Sequence, residues 1–180
     1  FLSKLAVDYV LVGHSERREY HAEDDAVIHA KIAAAWRHNL VPIICVGETL
    51  EQLENLGQSA VPIAQTIAAL SNHDQLGEFV IAYEPVWAIG TGKVATAEEA
   101  HQVAAAIRAA LKDNFGDDAA NSRISGPAGL WSRWLARAEG ASGSNSVLGK
   151  GWIPCSCGGR AIFTVRCAFP TRVGFGRAEN

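Results

Sequence analysis

Two side chains suited to proton transfer follow short apolar runs in this sequence. Glu84 closes the run FVIAYE, and His14 comes directly after the run DYVLVG. A carboxylate can remove a proton from carbon, and a neutral imidazole can donate a hydrogen bond to a carbonyl oxygen. The two residues therefore indicate acid–base chemistry beside a carbonyl group, if the fold brings both to one cleft.

The residues around His14 predict its charge state. In GHSERR, residues 13–18, Ser15 can cap a short helix, which places His14 at a helix N-terminus. The positive end of the helix dipole disfavours an imidazolium there, so we expect a neutral ring. A histidine in this position is often purely structural, and Glu84 alone could be a surface carboxylate. The pairing of the two at the ends of separate strands favours the chemical interpretation.

The elements that must position these residues follow from the hydrophobic pattern. Nearly continuous apolar runs predict strands at residues 8–13, 41–47 and 79–84, and helical spacing predicts helices at residues 26–38, 59–71 and 97–113. Strands this apolar are typical of a parallel sheet with helices on both faces. The strand ends recur about every 35 residues, the length of a βαβ unit. The sequence therefore predicts an α/β fold with these polar residues at one edge of the sheet.

The segment after the third strand predicts a long functional loop. Residues 96–99, TAEE, fit a capping box, which starts a helix there and leaves residues 85–95 as the connection. Connections of this length in compact domains are usually functional. A proline and a tryptophan would stiffen its start, while Gly90 and Gly92 would let backbone N–H groups approach an anion. We interpret the loop as a lid over Glu84.

Two nucleotide-binding motifs compete with the lid interpretation. A P-loop needs glycine five positions before Gly92, where the chain has Trp87, and Ser or Thr after the lysine, where it has Val94. Residues 90–95 do fit the pattern G-x-G-x-x-A of dinucleotide-binding proteins. That pattern needs its first glycine at the strand end, however, and residues 84–89 intervene. Neither nucleotide motif is therefore predicted to be functional.

The bulk properties limit the possible partners and location. The chain has 180 residues, a net charge of −3 and a pI of about 6.1, which give no reason to expect a nucleic-acid or membrane partner. No apolar run approaches the ~20 residues that span a bilayer, and the start FLSKLAVDY lacks the features of a signal peptide. We expect a cytoplasmic protein. Because the first residue is not methionine and the sequence contains none, we expect the chain to be a fragment.

Three segments together resemble a known family. VGHSERR, ICVGETLE and AYEPVWAIGTGK are similar, in order and spacing, to the successive signature segments of triosephosphate isomerases. The resemblance covers residues 1–124 and implies an incomplete (β/α)8 TIM barrel, with strands that correspond to the fourth to sixth and the start of the seventh. It also implies the interconversion of dihydroxyacetone phosphate and glyceraldehyde 3-phosphate in glycolysis and gluconeogenesis. The family is homodimeric and uses neither a metal nor an organic cofactor.

The resemblance implies roles for individual residues. Glu84 corresponds to the base that shuttles the proton, and His14 corresponds to the electrophile. Gly90 corresponds to the lid amide that binds the substrate phosphate. Glu16 belongs to a charged cluster, residues 16–18, that supports the catalytic groups and the subunit contact.

Parts of the family pattern are missing from this chain. The early segment with the active-site lysine, the interface loop and the glycine-rich phosphate loops after the seventh strand do not occur. We therefore expect little or no isomerase activity from the chain as it stands. Two alternatives remain open, namely a catalytically inactive fragment and a different phosphate-binding barrel domain with a similar lid.

Residues 125–180 form a tail that does not match the family. They hold ten of the seventeen glycines, and seven Lys and Arg against two Asp and Glu, whereas residues 1–124 hold nine against seventeen. The spacing of Cys155, Cys157 and Cys167 does not fit a zinc site, and no strand pattern leads into a phosphate loop at residues 158–159. The tail lacks periodicity but is rich in aromatic residues, which disordered extensions usually avoid. We interpret it as the product of a shifted reading frame.

Overall fold

A computed structural model of the chain describes residues 7–89, 91 and 93–126, together with the backbone of residues 155–157 and 160–163. In chain order, its strands are β1 (Val7–Val12), β2 (Val41–Val46), β3 (Val80–Tyr83), β4 (Arg123–Ser125), β5 (Cys155–Cys157) and β6 (Arg160–Phe163). Its helices are α1 (Ser15–His21), α2 (Asp25–Arg37), α3 (Leu50–Leu56), α4 (Ala60–Leu70), α5 (Ala97–Phe115) and α6 (Asp117–Ala120).

The strands form one sheet in the order β4-β3-β2-β1-β6-β5. Strands β1 to β4 are parallel and each pairs with the next along the chain, with Tyr9 opposite Val41 and Ile43 opposite Val80. A helix or a pair of helices connects each of these strands to the next. This arrangement confirms the predicted α/β fold and is that of a partial TIM barrel.

Strands β2 and β3 are buried on both faces, as their apolar sequences predict. The face that packs against the helices contributes Val12, Ile44, Val46, Ile81 and Tyr83 to the larger core. The opposite face contributes a smaller cluster that contains Ile43, Cys45, Val80 and Ala82. Because successive residues of a strand point to opposite faces, alternate residues of β2 enter different clusters.

Helix α5 shows how local sequence sets an element. Thr96 caps it with the predicted capping box, in which the Thr96 hydroxyl accepts from the Glu99 amide and the Glu99 carboxylate accepts from the Thr96 amide. Four residues at helical spacing form its buried stripe: Ala100, Val103, Ile107 and Leu111. The predicted helix start at residue 97 is therefore confirmed. Among the helices of the described ranges, none combines the length and apolar character that crossing a bilayer requires.

Strands β5 and β6 differ from the sequence prediction. Although no strand pattern was expected before residues 158–159, β5 ends at Cys157 and pairs antiparallel with β6. Strand β6 in turn pairs parallel with β1, with Ala161 opposite Val7. This pairing depends on an edge more than 140 residues earlier in the chain, so the local sequence pattern could not reveal it. Most of the tail lies outside the described residues, namely residues 127–154, 158–159 and 164–180.

Candidate active site

Glu84 is placed by the ends of two neighbouring strands. It directly follows β3, and its N–H donates to the carbonyl of Val46 at the end of β2, at 2.9 Å. Gly47, which follows Val46, lies close against the Glu84 backbone. A Cβ added to Gly47 would stand 1.7 Å from the Glu84 carbonyl oxygen. Only glycine fits this contact, because the neighbouring atom is backbone.

His14 caps helix α1 with its own side chain. Its Nδ1 accepts a hydrogen bond from the Glu16 N–H at 3.3 Å, and Ser15 is the first helical residue. The prediction that Ser15 is the cap is therefore wrong by one position, because the imidazole itself supplies the acceptor. In the neutral form of the ring, this acceptor role of Nδ1 places the proton on Nε2.

The structure brings the two predicted residues together at the carboxyl ends of β1 and β3. His14 Nε2 lies 3.2 Å from Glu84 Oε2, and the Ser15 N–H donates to Glu84 Oε1 at 2.7 Å. The His14 side chain is 35% exposed and the Glu84 side chain 16%, so both remain in contact with solvent. Each oxygen of the carboxylate has a partner, and the carboxylate is held in one orientation.

Burial raises the pKa of the Glu84 carboxyl above its ordinary value. The nearby His14 ring, the Ser15 amide and the Arg18 guanidinium each act in the opposite direction but do not outweigh the burial. A carboxylate with a raised pKa is a stronger base, which suits the removal of a proton from carbon near neutral pH.

Arg18 links the pair to the rest of the fold. Its Nε donates to the Gly13 carbonyl at 3.0 Å, and its Nη1 donates to Asp25 Oδ1 at 2.7 Å. The guanidinium thus joins the end of β1 to the start of α2. Its positive charge also favours the ionised form of Glu84.

Two further predicted site residues have weaker structural support. Glu16 is exposed and contributes its backbone N–H to the His14 cap. Gly90 lies outside the described residues. The roles that the resemblance implies for these two residues remain proposals.

Glu48 is a residue of the site that the sequence analysis missed. It is fully buried, and its Oε1 accepts from the Tyr83 hydroxyl at 2.8 Å and from the Trp87 indole at 2.7 Å. Burial raises the pKa of its carboxyl, although the Tyr83 and Trp87 hydrogen bonds act to lower it. A signal did exist, because Glu48 follows the end of β2 almost as Glu84 follows the end of β3.

The contact with Glu48 fixes the start of the predicted lid, residues 85–95. Residues Val86–Ala88 form a 3-10 turn that buries Trp87, and the Trp87 N–H also donates to the Glu48 carbonyl at 3.2 Å. Further along, Ile89 is 54% exposed and Val94 is 83% exposed. The lid therefore starts from an anchored turn and continues into exposed apolar residues.

No metal site accompanies this pair in the part of the chain that the structure describes, where no three His, Cys, Asp or Glu side chains cluster suitably. A parallel sheet of βαβ units, with an acid–base pair at the carboxyl ends of its strands and an anchored loop beside it, is typical of α/β proteins, the class that includes the TIM barrels. A model of the family described as Triosephosphate isomerase matches residues 1–129. The chain belongs to the triosephosphate isomerase family.

Individual relatives agree with this match. A protein named triosephosphate isomerase from Leifsonia xyli subsp. xyli is 54% identical over 125 residues, which are 69% of this chain and 48% of the relative. One from Mycobacteroides abscessus is 53% identical over 125 residues, or 68% and 48% of the two chains. One from Clostridium tetani is 50% identical over 123 residues, or 67% and 48%. The chain thus spans about half the length of the curated relatives it matches.

Proposed function

We propose that Glu84 and His14 carry out the proton transfers that interconvert dihydroxyacetone phosphate and glyceraldehyde 3-phosphate. The observation that carries this proposal is the 3.2 Å contact between His14 Nε2 and Glu84 Oε2 at the carboxyl ends of two parallel strands. The shared edge supports a common cleft, and the family supports the choice of reaction.

The geometry supports a specific order of events. A bound ketose places its carbonyl oxygen on the His14 Nε2–H, which releases Glu84 Oε2 to face the adjacent C–H bond. Glu84 removes that proton, and the C–H electrons move toward the carbonyl to give an enediolate. The His14 N–H stabilises the developing negative charge. After a proton moves between the two oxygens, Glu84 returns its proton to the neighbouring carbon and the aldose forms.

The lid and the charged cluster have supporting roles in this proposal. The Gly90 amide binds the substrate phosphate when residues 85–95 close, and Glu16 supports the catalytic groups. The anchored turn at Trp87 favours a motion of the exposed part of the lid about a fixed start. The whole protein acts in glycolysis and gluconeogenesis, in the cytoplasm, as a homodimer; the family supports each of these assignments.

The rate of this chain is expected to lie far below that of an intact family member. Loss of one preorganised contact to the developing charge lowers the rate about 10²- to 10³-fold. The residues that match the family do not include its active-site lysine or its later phosphate loops. The alternative of an inactive fragment predicts no pair-dependent chemistry at all. The alternative of a different phosphate-binding barrel predicts phosphate binding without the isomerisation.

The test combines turnover with binding of a phosphate-bearing enediolate mimic. We expect slow turnover, and mimic binding that weakens at least about 10-fold in His14→Gln and in Glu84→Gln. His101→Gln and Glu51→Gln are matched controls, because both residues are exposed and lie on α5 and α3. Mimic binding that is independent of the pair would favour another phosphate-binding barrel, and absence of both signals in the folded chain would favour an inactive fragment.

A further inference from the structure

Gln65 makes a contact that the proposed chemistry does not use directly. It lies on α4, and its Oε1 accepts the N–H of Gly47 at 2.8 Å, across 18 residues of sequence. Gly47 is buried at the end of β2. The acceptor is therefore a helix side chain that satisfies a buried backbone donor where the strand ends.

The same peptide unit contacts Glu84. The carbonyl of Val46 and the N–H of Gly47 belong to one planar peptide group. The carbonyl accepts from the Glu84 N–H at 2.9 Å, while the N–H donates to Gln65. A rotation of this peptide plane would change both hydrogen bonds together, because the group is rigid.

Gly47 also contacts the other end of the Glu84 backbone. The site of a Cβ on Gly47 lies 1.7 Å from the Glu84 carbonyl oxygen and 2.8 Å from its carbonyl carbon. The Glu84 N–H thus donates to the peptide group between Val46 and Gly47, and the Glu84 C=O packs against the Cα of Gly47. Gln65 fixes the orientation of that peptide from the helix side.

From this chain of contacts we infer that Gln65 is a positioning residue for Glu84, acting through the peptide bond between Val46 and Gly47. The inference rests on the proposed function, in which Glu84 is the base. Loss of the Gln65 acceptor leaves a buried N–H unpaired and lets the peptide rotate. Glu84 then loses its fixed distance to His14 Nε2 and to a substrate carbon.

The kinetic test uses two substitutions of Gln65 and one control. Gln65→Met has a similar length but no acceptor oxygen, whereas Gln65→Glu keeps one. Gln102→Met is the matched control, because Gln102 is exposed on α5 and its amide donates to the surface residue Glu98, at 3.2 Å. The rates are measured above the pKa of Glu84, where the base is ionised.

We expect Gln65→Met to lower kcat for pair-dependent proton exchange about 10-fold or more, with KM changed less than about 2-fold, because small misplacements of a reacting group are costly. Gln65→Glu should restore kcat to within about 3-fold, and Gln102→Met should leave it unchanged. An unchanged kcat in Gln65→Met, or a loss that Gln65→Glu does not restore, overturns the inference.

Two measurements on folding and titration separate this inference from the proposed function. In the unaltered chain the Gly47 amide hydrogen should exchange slowly with solvent. Exchange as fast as that of an amide in an open turn overturns the inference, and this measurement does not require Gln65→Met to fold. The carboxyl titration of Glu84, followed by carbon NMR, should move to lower pH in Gln65→Met because the side chain becomes better solvated. An unchanged titration overturns the inference, whereas absence of proton exchange in the unaltered chain counts only against the proposed function.

Discussion

Glu84 and Glu48 are carboxylates at the ends of adjacent strands, and their environments differ. Glu84 is held by a backbone amide and by His14, partners that a substrate could replace. Glu48 is fully buried, and one of its oxygens accepts from both Tyr83 and Trp87. Burial raises the pKa of both carboxyl groups. The two differ in access, because the Glu84 side chain is 16% exposed and Glu48 is fully buried. We propose Glu84 as the catalytic carboxylate and Glu48 as the residue that anchors the lid.

The first prediction concerns Glu48 and stability. Glu48→Gln keeps an acceptor for Tyr83 and Trp87. Glu48→Leu leaves both donors without an acceptor, so it should lower the free energy of unfolding by about 1–3 kcal/mol. Because the folded-state pKa is raised from 4.5, the unaltered chain should lose stability relative to Glu48→Gln as pH rises from 4.5 through the folded pKa. Urea unfolding at several pH values measures both effects. Equal stability of the Gln and Leu variants would contradict the anchoring role.

At the scale of elements, a charged clamp joins α1 to α2. The clamp consists of Glu23, which is only 7% exposed, with Arg17 from α1 and Lys31 from α2. Arg17 Nε donates to Glu23 Oε1 at 2.6 Å, and the Lys31 ammonium donates to the same oxygen. Helix α1 begins at Ser15, whose amide holds Glu84, so the clamp fixes the helix that orients the site.

The second prediction tests this clamp by pH. Burial raises the pKa of Glu23, but the hydrogen bonds and charges of Arg17 and Lys31 outweigh it and hold the pKa below 4.5. The ionised clamp therefore stabilises the fold above pH 4.5, and this contribution is lost as pH falls through the folded pKa. Glu23→Gln should lower the free energy of unfolding by about 1–3 kcal/mol at neutral pH and by less in acid. Glu19→Gln, at an exposed position of α1, is the control; a loss that does not shrink in acid would contradict the ionic origin.

Elements set by local sequence could be predicted, and those set by distant contacts could not. The capping box at Thr96 is complete within four residues, so the start of α5 could be read directly. The partners of Glu48 lie 35 and 39 residues away, and no local pattern marks that carboxylate as buried. The pairing of β6 with β1 depends likewise on a distant edge. The pair of His14 and Glu84 was accessible because both residues follow recognisable strands.

At the scale of the whole molecule, the sheet is an open portion of a barrel. A complete barrel pairs every strand on both sides. Here β6 covers β1, while β4 pairs with β3 alone among the described strands. The third prediction is that the chain self-associates through open edges and apolar faces, with concentration-dependent sedimentation in the ultracentrifuge. A monodisperse monomer with a cooperative melt would contradict it.

The fourth prediction concerns the coding DNA of the tail. The family match ends at residue 129, five residues beyond the boundary predicted at Ile124, and the composition changes over the same stretch. We expect one of the other two reading frames beyond this point to encode a strand followed by a glycine-rich phosphate loop. Resequencing and translation of this region provide the measurement. If neither frame encodes such a segment, the tail has another origin.

Exchange of hydrogen for deuterium in dihydroxyacetone phosphate tests the central claim most directly. Removal of the proton by Glu84 in heavy water should place deuterium on the hydroxyl-bearing carbon, and proton NMR detects this step even when turnover is slow. We predict exchange faster than in buffer alone. The rate should fall at least about 10²-fold in Glu84→Gln and should also fall in His14→Gln, because we propose these residues as base and electrophile. His101→Gln should exchange at the unaltered rate. Exchange that is equal in the unaltered chain and in Glu84→Gln would contradict the account.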